Sequence, residues 1–368
     1  MYLFVIVGPH CKKMIFIFGA GASYADGFPL QSELLHLYFQ LYKDNDLEID
    51  AYNLLLTFFS DFFNIRNPLS ENLPTLEHVL GTIELCLRDK APYSPDYDHI
   101  KLRKLRSALL DAILCTIRQK SSGFRKGTYH KFLNNLDLKY KNLANCHFIT
   151  LNYDHALDDA FDSLYNRVLI DFGVELTNYE VTSDPFYWWE RPDPGKGTFL
   201  LKLHGSLTFK YCPLCQSIEL IPWEFYFERK GMHDLAEIPL RAAIKRGSAK
   251  CPRDGALSEL LVIPPTLFKE LRIPPLVEIW RRANALLLAH KELIIIGYSI
   301  PLADLHMWQL LKRAELTTGP KKVIIIDAPS AINIEVEQRY KQIFKDIIFL
   351  PVGFEAFAAN PNEYLKYV

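Results

Sequence analysis

Four short clusters of glycine and polar residues each come directly after an apolar run of strand length. They are Gly19-Ala20-Gly21-Ala22-Ser23, Thr150-Leu151-Asn152-Tyr153-Asp154, Lys202-Leu203-His204-Gly205-Ser206 and Gly297-Tyr298-Ser299. Glycine backbone, hydroxyl, amide, carboxylate and imidazole groups can bind phosphate and ribose and move protons. Because the carboxyl ends of parallel strands share one edge of a sheet, we expect the four clusters to meet in one crevice that binds a nucleotide.

The first cluster has the residue types that a phosphate-binding turn requires. Gly19 and Gly21 lack Cβ atoms, so backbone N–H groups and the start of the following helix can approach a pyrophosphate closely. We therefore assign Gly19–Ser23 to nucleotide binding, with Ser23 donating to phosphate or ribose; packing of a tight turn and helix capping are the alternative roles. Tyr24 stands where the common dinucleotide fingerprint has its third glycine, which argues against an ordinary dehydrogenase.

Asn152 and His204 are the candidates for the chemical step. The Asn152 amide has donor and acceptor atoms that can hold ribose hydroxyls or an attacking water. Histidine titrates near neutral pH, so His204 can accept a proton from a hydroxyl or a water. A turn-forming asparagine and a core histidine bonded to backbone are the non-catalytic alternatives. Asp304 and His306, which follow the fourth cluster, are interpreted as helix-start residues.

The elements that position these clusters are predicted to be short strands alternating with helices. Between residues 31 and 143 the apolar residues recur at helical spacing, which predicts a helical insert after the first strand. Seven apolar runs have the length and composition of strands buried on both faces of a parallel sheet. They lie at Met14–Phe18, Cys146–Leu151, Phe199–Leu203, Leu261–Ile263, Leu293–Ile296, Lys322–Ile326 and Ile347–Leu350. The predicted fold class is α/β, a Rossmann-like parallel sheet with helices on both faces.

The chain of 368 residues is longer than one hydrophobic core usually supports, so we predict a main domain with additions. The catalytic domain is assigned to residues 1–330, with the helical insert at about 31–143 and a small lobe at about 210–258. A helix and a strand in residues 331–368 are expected to complete the fold. Residues 1–13 are interpreted as an upstream extension that the fold does not require.

The charge balance and the opening segment limit the classes of partner. Lys and Arg total 42 against 43 Asp and Glu, and no run of like charges is present, so direct binding to nucleic acid is not expected. The opening apolar run lacks the basic start and the cleavage site of a signal peptide, and it is too short to span a bilayer. We expect a soluble, cytoplasmic protein.

In their order, GAGAS, TLNYD, KLHGS and GYSIPLADLH resemble the motifs of the sirtuin-like superfamily of NAD-consuming proteins. They are most similar to its bacterial members that hydrolyse NAD in antiphage defence. The resemblance covers residues 14 to about 330. It implies that NAD is the substrate and that the bond between nicotinamide and ribose is cleaved through a transition state with oxocarbenium character. It also implies that loss of Asn152 abolishes cleavage.

The resemblance further implies how NAD is bound. Asp154 is expected to contact the nicotinamide carboxamide or to brace the catalytic amide, with capping of the next helix as the alternative. Gly297 and Ser299 match the family's second nucleotide loop, which approaches ribose and phosphate. Asp327, at the end of a predicted strand, is expected to accept from the adenosine ribose hydroxyls. No basic pocket for a 2′-phosphate is evident beside Asp327, which favours NAD over NADP.

Two departures from the protein-deacylating sirtuins favour water as the acceptor of the ADP-ribosyl group. Those enzymes have Gly-Ile-Pro-Asp-Phe-Arg where this chain has Gly27-Phe28-Pro29-Leu30-Gln31-Ser32, and Leu151 replaces the glutamine before their asparagine. We therefore predict an NAD glycohydrolase (NAD nucleosidase) that acts as a defence effector by depleting cellular NAD. A protein deacylase or ADP-ribosyltransferase, and a regulatory module that binds NAD or ADP-ribose, are the alternatives.

Two cysteine turns stand where sirtuins carry a structural zinc ribbon. Paired Cys-x-x-Cys turns are typical of tetrahedral zinc. Here the first turn has both of its cysteines. The second turn has one cysteine, and an aspartate stands where its other cysteine would be. The predicted ligands are Cys212, Cys215, Cys251 and Asp254, with His233 as a further candidate. A ribbon that folds without metal is the alternative, and the small lobe is accordingly described as zinc-ribbon-like.

The resemblance also bears on partners. Defence members of the superfamily often act inside oligomers or with a helicase-like ATPase. No separate sensor domain is evident in this chain, so control of the activity is expected from self-assembly into a homo-oligomer or from a second protein. The helical insert and the aromatic stretch Tyr187-Trp188-Trp189 are the candidate contact surfaces, with a core or lid role as the alternative for the aromatic residues.

Overall fold

The computed structural model describes residues 14–42, 49–121, 127–140, 143, 146–164, 170–177, 192, 197–220, 250–251, 253–263 and 271–366. The described strands are β1 (Met14–Phe18), β2 (Cys146–Thr150), β3 (Ile170–Asp171), β4 (Thr198–Lys202), β5 (Gly205–Tyr211), β6 (Ile218–Leu220), β7 (Glu259–Val262), β8 (Glu292–Ile296), β9 (Lys322–Ile326) and β10 (Asp346–Leu350). The described helices are α1 (Ala20–Tyr24), α2 (Leu34–Tyr42), α3 (Ile49–Phe63), α4 (Leu76–Asp89), α5 (His99–Ser121), α6 (Thr128–Tyr140), α7 (Ala156–Leu164), α8 (Pro274–Ala289), α9 (Leu305–Thr318), α10 (Ile334–Ile343), α11 (Gly353–Ala359) and α12 (Pro361–Leu365).

A parallel sheet in the order β10-β9-β8-β1-β2-β4-β3 forms the centre of the molecule. β1 lies in the middle of the sheet, where Met14 is in register with Cys146 of β2 and with Glu292 of β8. Every residue of β1 and of β2 is buried, as is typical of inner strands of a parallel sheet that helices cover. The prediction of a Rossmann-like parallel sheet flanked by helices is confirmed.

Aromatic side chains join the sheet to the helices on one of its faces. Phe16 of β1 stacks on Phe148 of β2 with ring centroids 5.5 Å apart. Phe132 of α6 lies edge-on to Phe16, with ring centroids 5.1 Å apart. Phe354 of α11 lies edge-on to Phe18 of β1, with ring centroids 5.8 Å apart. Edge-to-face pairs of this kind contribute about 0.5–1.5 kcal/mol each beyond their buried area. The last helices of the chain therefore pack on a helix that precedes β2.

The described residues between β1 and β2 form helices and turns and no strand. α2, α3 and α4 each pack against the long helix α5. α4 shows why such a segment begins and ends where it does: the Thr75 hydroxyl accepts from His78 N at 3.3 Å at its start, and Lys90 adopts a left-handed conformation (φ 53°) at its end. Aromatic rings also pack against one another here, such as Phe58 and Phe62 of α3, whose centroids lie 4.6 Å apart with the rings tilted by 37°.

A second, antiparallel sheet in the order β6-β5-β7 follows the turn after β4. The prediction that Leu261–Ile263 forms a strand of the parallel sheet is wrong, because β7 pairs with β5 and not with a parallel strand. β3, β5 and β6 were not predicted; β6 has only three residues, with Glu219 between its two apolar ones. β3 has two residues, and β5 alternates polar and apolar residues although all seven are buried, so neither has a continuous apolar run.

Several predictions fall outside the described residues. They concern residues 1–13, the aromatic stretch Tyr187-Trp188-Trp189, His233 and most of the predicted lobe, of which residues 221–249 are not described. At the C-terminal end, the structure adds α11 and α12 to the predicted helix and strand. In the described part of the chain, no helix combines the length and apolar composition that crossing a bilayer requires.

Gly205→Ala is expected to destabilise the fold strongly. Gly205 has φ +80°, and a Cβ atom there would overlap the carbonyl group of Leu261. Gly353 also has a positive φ (+70°), but a Cβ atom there meets none of the described atoms within 4 Å. The left-handed conformation should cost about 1–2 kcal/mol in both variants, and the backbone overlap should raise the loss of unfolding free energy in Gly205→Ala to roughly 3 kcal/mol or more. Urea unfolding followed by circular dichroism measures the unfolding free energy of both variants. Equal losses of this free energy in Gly205→Ala and Gly353→Ala would contradict the expected overlap.

Candidate functional site

The carboxyl edge of the parallel sheet brings the four polar clusters together. Backbone hydrogen bonds continue the ladder of the sheet into the clusters, so each loop leaves its strand in a fixed position next to the loop of the neighbouring strand. These bonds are Gly19 N to Ile296 O (2.9 Å), Leu151 N to Phe18 O (3.0 Å), Leu203 N to Thr150 O (3.0 Å) and Gly297 N to Ile326 O (2.9 Å). The expected convergence of the clusters therefore follows from strand pairing itself.

The glycines of the first and fourth clusters are in backbone contact. A Cβ atom at Gly19 would lie 2.5 Å from Gly297 O, and one at Gly21 would lie 2.9 Å from Gly297 Cα. Gly297 itself has φ +62°, and a Cβ atom there would overlap the backbone N of Ala22. Gly21 N already donates to Gly297 O at 2.8 Å. Packing between the two loops is thus sufficient to require glycine at all three positions.

The side-chain amide of Asn152 is held by the glycine loop. Nδ2 donates to Gly19 O and to Ser23 Oγ, both at 2.8 Å. The reverse orientation would bring the amide oxygen against the Gly19 carbonyl oxygen, which only accepts. Both amide hydrogens are therefore used in these two bonds, and Oδ1 is the atom of the amide that remains to accept a hydrogen bond from a ligand.

Tyr129 of α6 is a residue of this site that the sequence did not predict. Its hydroxyl lies 3.1 Å from Ser23 Oγ in a buried position. Burial and the neighbouring Asp154 carboxyl raise the pKa of Tyr129 well above its ordinary value, so the phenol keeps its proton. No local signal marked it, because a tyrosine in an amphipathic helix far from any motif is typical of a core position.

Asp154 lies at the start of α7 and is almost fully buried. Its Oδ1 accepts from Ala156 N at 3.0 Å, which is the capping role given as the alternative. Burial raises the pKa of the Asp154 carboxyl, while the Lys202 ammonium and the Ser23 hydroxyl oppose this shift. A contact of Asp154 with nicotinamide or with the Asn152 amide stays a prediction.

His204 lies between the two sheets with one ring nitrogen fixed. Nδ1 is 3.1 Å from Leu151 O, and because a carbonyl oxygen only accepts, Nδ1 carries a proton. Nε2 lies 3.5 Å from the Asp304 carboxylate, and both side chains are more than nine-tenths buried. Nε2 is therefore the ring nitrogen that faces the carboxylate.

Asp304 is a helix-start residue, as predicted, but its side chain has another role. It stands at the N-cap position of α9, but its side chain makes no capping hydrogen bond. Instead Oδ2 accepts from the Tyr298 hydroxyl at 2.7 Å, and Oδ1 faces His204. His306 does lie in the first turn of α9, with its ring 6.3 Å from that of Trp280. Asp304 therefore joins the third and fourth clusters.

Asp327 and Ser299 differ in their position relative to the glycine loop. Asp327 follows β9, and its Oδ1 would lie 3.3 Å from a Cβ atom at Gly21. Burial raises the pKa of the Asp327 carboxyl, although the hydrogen bond from Ala328 N opposes this. Ser299 is exposed at the end of its loop. The structure therefore brings Asp327 against the predicted nucleotide loops and leaves Ser299 at the surface.

The predicted metal ligands form one cluster beside the antiparallel sheet. One ligand atom from each of Cys212, Cys215, Cys251 and Asp254 lies within 4.8 Å of the others. The two cysteine turns have matching backbone hydrogen bonds, from Gln216 N to Cys212 O and from Gly255 N to Cys251 O. Three thiols and one carboxyl in this arrangement fit tetrahedral zinc, for which a carboxylate is an accepted ligand. The residues present therefore fit a structural zinc ion.

The chain was compared with known families and proteins. The family model described as SIR2-like domain matches residues 146–346. No curated protein matches the chain. Similar solved structures include a sirtuin studied for substrate affinity (13% identity, TM-score 0.38, 97% of this chain and 94% of that one). A second is Sir2Tm bound to a propionylated peptide (12% identity, TM-score 0.39, 97% of this chain and 94% of that one). A third is a mutant Sir2 homologue in complex with 2′-O-acetyl ADP ribose (14% identity, TM-score 0.43, 96% of this chain and 91% of that one).

Purified protein is expected to carry about one zinc per chain, measured by inductively coupled plasma mass spectrometry. Cys215→Ala removes one ligand of the cluster and should lower the zinc content severalfold. The matched control is Cys115→Ala, which removes a buried thiol of α5 outside the cluster and should leave the zinc content unchanged. Less than roughly a tenth of a zinc per wild-type chain would mean that the cluster folds without metal.

Proposed function

Because this chain belongs to the SIR2-like domain family, we propose that it binds NAD at the carboxyl edge of its parallel sheet and hydrolyses it to nicotinamide and ADP-ribose. The observation that carries the proposal is the fixed amide of Asn152. Its two N–H groups are bonded to Gly19 and Ser23, so Oδ1 is oriented as an acceptor before any ligand binds. An acceptor held in advance in this way is what a reaction that must orient a hydroxyl or a water requires.

The proposed reaction breaks the bond between C1′ of ribose and the nicotinamide nitrogen. Nicotinamide leaves with the electron pair of that bond, and positive charge develops on the ribose ring as an oxocarbenium ion. Asn152 Oδ1 accepts a hydrogen bond from a ribose hydroxyl or from the attacking water. A new bond forms between C1′ and the water oxygen, and the water proton passes to His204 Nε2.

The surroundings of His204 support its proposed role as the proton acceptor. The bond from Nδ1 to Leu151 O fixes both the tautomer and the ring orientation. The Asp304 carboxylate, 3.5 Å from Nε2, compensates the positive charge of the imidazolium that forms. Trp280 donates from Nε1 to Leu203 O at 2.8 Å, and its ring lies 6.4 Å from that of His204, which limits movement of the imidazole.

Water is the proposed acceptor of the ADP-ribosyl group because of the stretch after the glycine loop. Gly27 has φ +81°, and the backbone N of Leu30 donates to the Glu33 carboxylate at 2.8 Å at the start of the next helix. At the two positions where deacylating sirtuins have an aspartate and an arginine, this chain has Leu30 and Ser32. The charged pair that distinguishes the deacylating branch is therefore missing from the sequence of this segment.

The proposal extends to biological role and to partners. Motif similarity favours the branch whose members deplete cellular NAD during antiphage defence, and we propose that role here. We also propose that self-assembly or a second protein, such as a helicase-like ATPase, controls the activity. Asp327 favours NAD over NADP in this scheme, because a carboxylate next to the nucleotide loops would repel a 2′-phosphate.

Asn152→Ala is expected to abolish hydrolysis without abolishing binding. It removes the acceptor that orients the reacting groups, so release of nicotinamide from NAD should fall at least about 100-fold. Isothermal titration calorimetry should give an NAD dissociation constant within about threefold of wild type, because the proposed contacts of the other loops with NAD remain. Release is measured by liquid chromatography with no peptide added. The control is Asn67→Ala, in an exposed turn of the helical region, which should release nicotinamide at the wild-type rate. A rate of nicotinamide release in Asn152→Ala equal to that of wild type would refute the mechanism.

An acetyl-lysine peptide separates the hydrolase from a deacylase. If water is the acceptor, adding peptide at millimolar concentration should leave the rate of nicotinamide release within about twofold of the rate without peptide. A deacylase would instead release nicotinamide in step with loss of the acetyl group, and the rate would rise with peptide concentration. Mass spectrometry of the peptide distinguishes these results, with Asn152→Ala as the blank for both.

A further inference from the structure

The helical region contributes a side chain to the proposed active site. Tyr129, in the first turn of α6, is only 1% exposed. Its hydroxyl is 3.1 Å from Ser23 Oγ, and the same serine oxygen accepts from Asn152 Nδ2 at 2.8 Å. A phenol from the helical region and the amide of the proposed catalytic residue therefore bind one shared atom.

Ser23 Oγ is the atom that links the two side chains. A serine hydroxyl has one hydrogen to donate and two lone pairs to accept. Asn152 Nδ2 donates to Oγ at 2.8 Å, so one lone pair is used in that bond. The Tyr129 hydroxyl is the second partner at 3.1 Å, and either hydroxyl can donate in that bond. In both cases the bond to Tyr129 holds the Ser23 side chain in the orientation that accepts from Asn152.

Tyr129 is fixed through both its backbone and its ring. The Asp26 carboxylate, which follows α1, accepts from Thr128 N at 2.5 Å and from Tyr129 N at 3.3 Å. The ring lies edge-on to Phe18 of β1 at 5.2 Å and to Phe354 of α11 at 5.0 Å. The hydroxyl of Tyr129 is therefore held relative to the glycine loop, the central strand and the C-terminal helices at once.

We propose that Tyr129 is a positioning residue for the amide of Asn152 and acts through Ser23. This inference rests on the proposed function, since it assigns the helical region a part in the same reaction. Without the phenol hydroxyl, Ser23 Oγ loses its second hydrogen-bond partner in a buried site, and the serine side chain can rotate away from Asn152. The amide of Asn152 then loses one of its two anchors and can turn, which presents N–H donors where the reaction needs an acceptor.

Tyr129→Phe tests the inference, because it removes only the hydroxyl. We expect kcat for nicotinamide release to fall about tenfold, while the NAD dissociation constant stays within about twofold of the wild-type value. A turned amide impairs the chemical step and does not weaken NAD binding. The control is Tyr97→Phe, which removes another buried phenol hydroxyl of the helical region, bonded to Asp61 at 2.6 Å. A kcat in Tyr129→Phe equal to that of Tyr97→Phe would overturn the inference.

A double-mutant cycle separates positioning from a general structural effect. If Tyr129 acts through Ser23, then Tyr129→Phe should change kcat by less than about twofold in a Ser23→Ala background, because the link is already broken. Losses of kcat that multiply in the double variant would overturn the inference. Thermal unfolding of each variant shows whether a loss of activity reflects a loss of folded protein.

The failure of the proposed function is distinguishable from the failure of this inference. Wild-type protein that binds NAD but releases no nicotinamide would refute hydrolysis, and crystal structures of wild type and Tyr129→Phe would then decide the role of Tyr129. The inference expects Asn152 Nδ2 to leave its position 2.8 Å from Gly19 O in the variant. An amide that stays in place in Tyr129→Phe would overturn it.

Discussion

The contact between two glycine loops at the carboxyl ends of β1 and β8 is the constraint on which the rest of the site depends. Gly19, Gly21 and Gly297 touch through their backbones, at distances where any Cβ atom would collide. Because β1 and β8 are neighbours in the sheet, the two loops have no room to separate without breaking the ladder. A Cβ atom at any of the three glycines would push the first helix of the fold, which carries Ser23, away from the sheet.

From this contact the site extends through hydrogen bonds between segments far apart in sequence. The Gly19 carbonyl and Ser23 hydroxyl hold Asn152, more than a hundred positions along the chain. The same first loop, through Asp26, caps α6 and brings Tyr129 to Ser23. The helical region is thus bonded to the nucleotide loop and is not merely packed beside the sheet.

A buried ammonium supports the other side of the site. Lys202, the last residue of β4, is fully buried, and its Nζ donates to the Asp158 carboxylate at 2.5 Å and to the Asp154 carbonyl oxygen at 2.9 Å. A buried charge is tolerated only when it is paired and hydrogen-bonded. Lys202 therefore ties the end of β4, just before His204, to the loop and helix that follow Asn152.

The sequence by itself determined the parallel sheet and the identity of its polar edge. Strands such as Met14–Phe18 are continuous apolar runs, and the residue after each run must lie at the shared carboxyl edge, so Asn152 and His204 could be placed there from local pattern alone. The cysteine turns could be recognised for the same reason, since Cys212 and Cys215 occupy one turn. Only the tertiary structure decided which residues from elsewhere complete the site. Tyr129 was not predicted, Asp304 was predicted only as a helix-start residue, and Leu261–Ile263 was assigned to the wrong sheet. Their roles depend on hydrogen bonds and strand pairs between distant segments, and such contacts are set by how helices and sheets pack and leave no periodic trace in the chain.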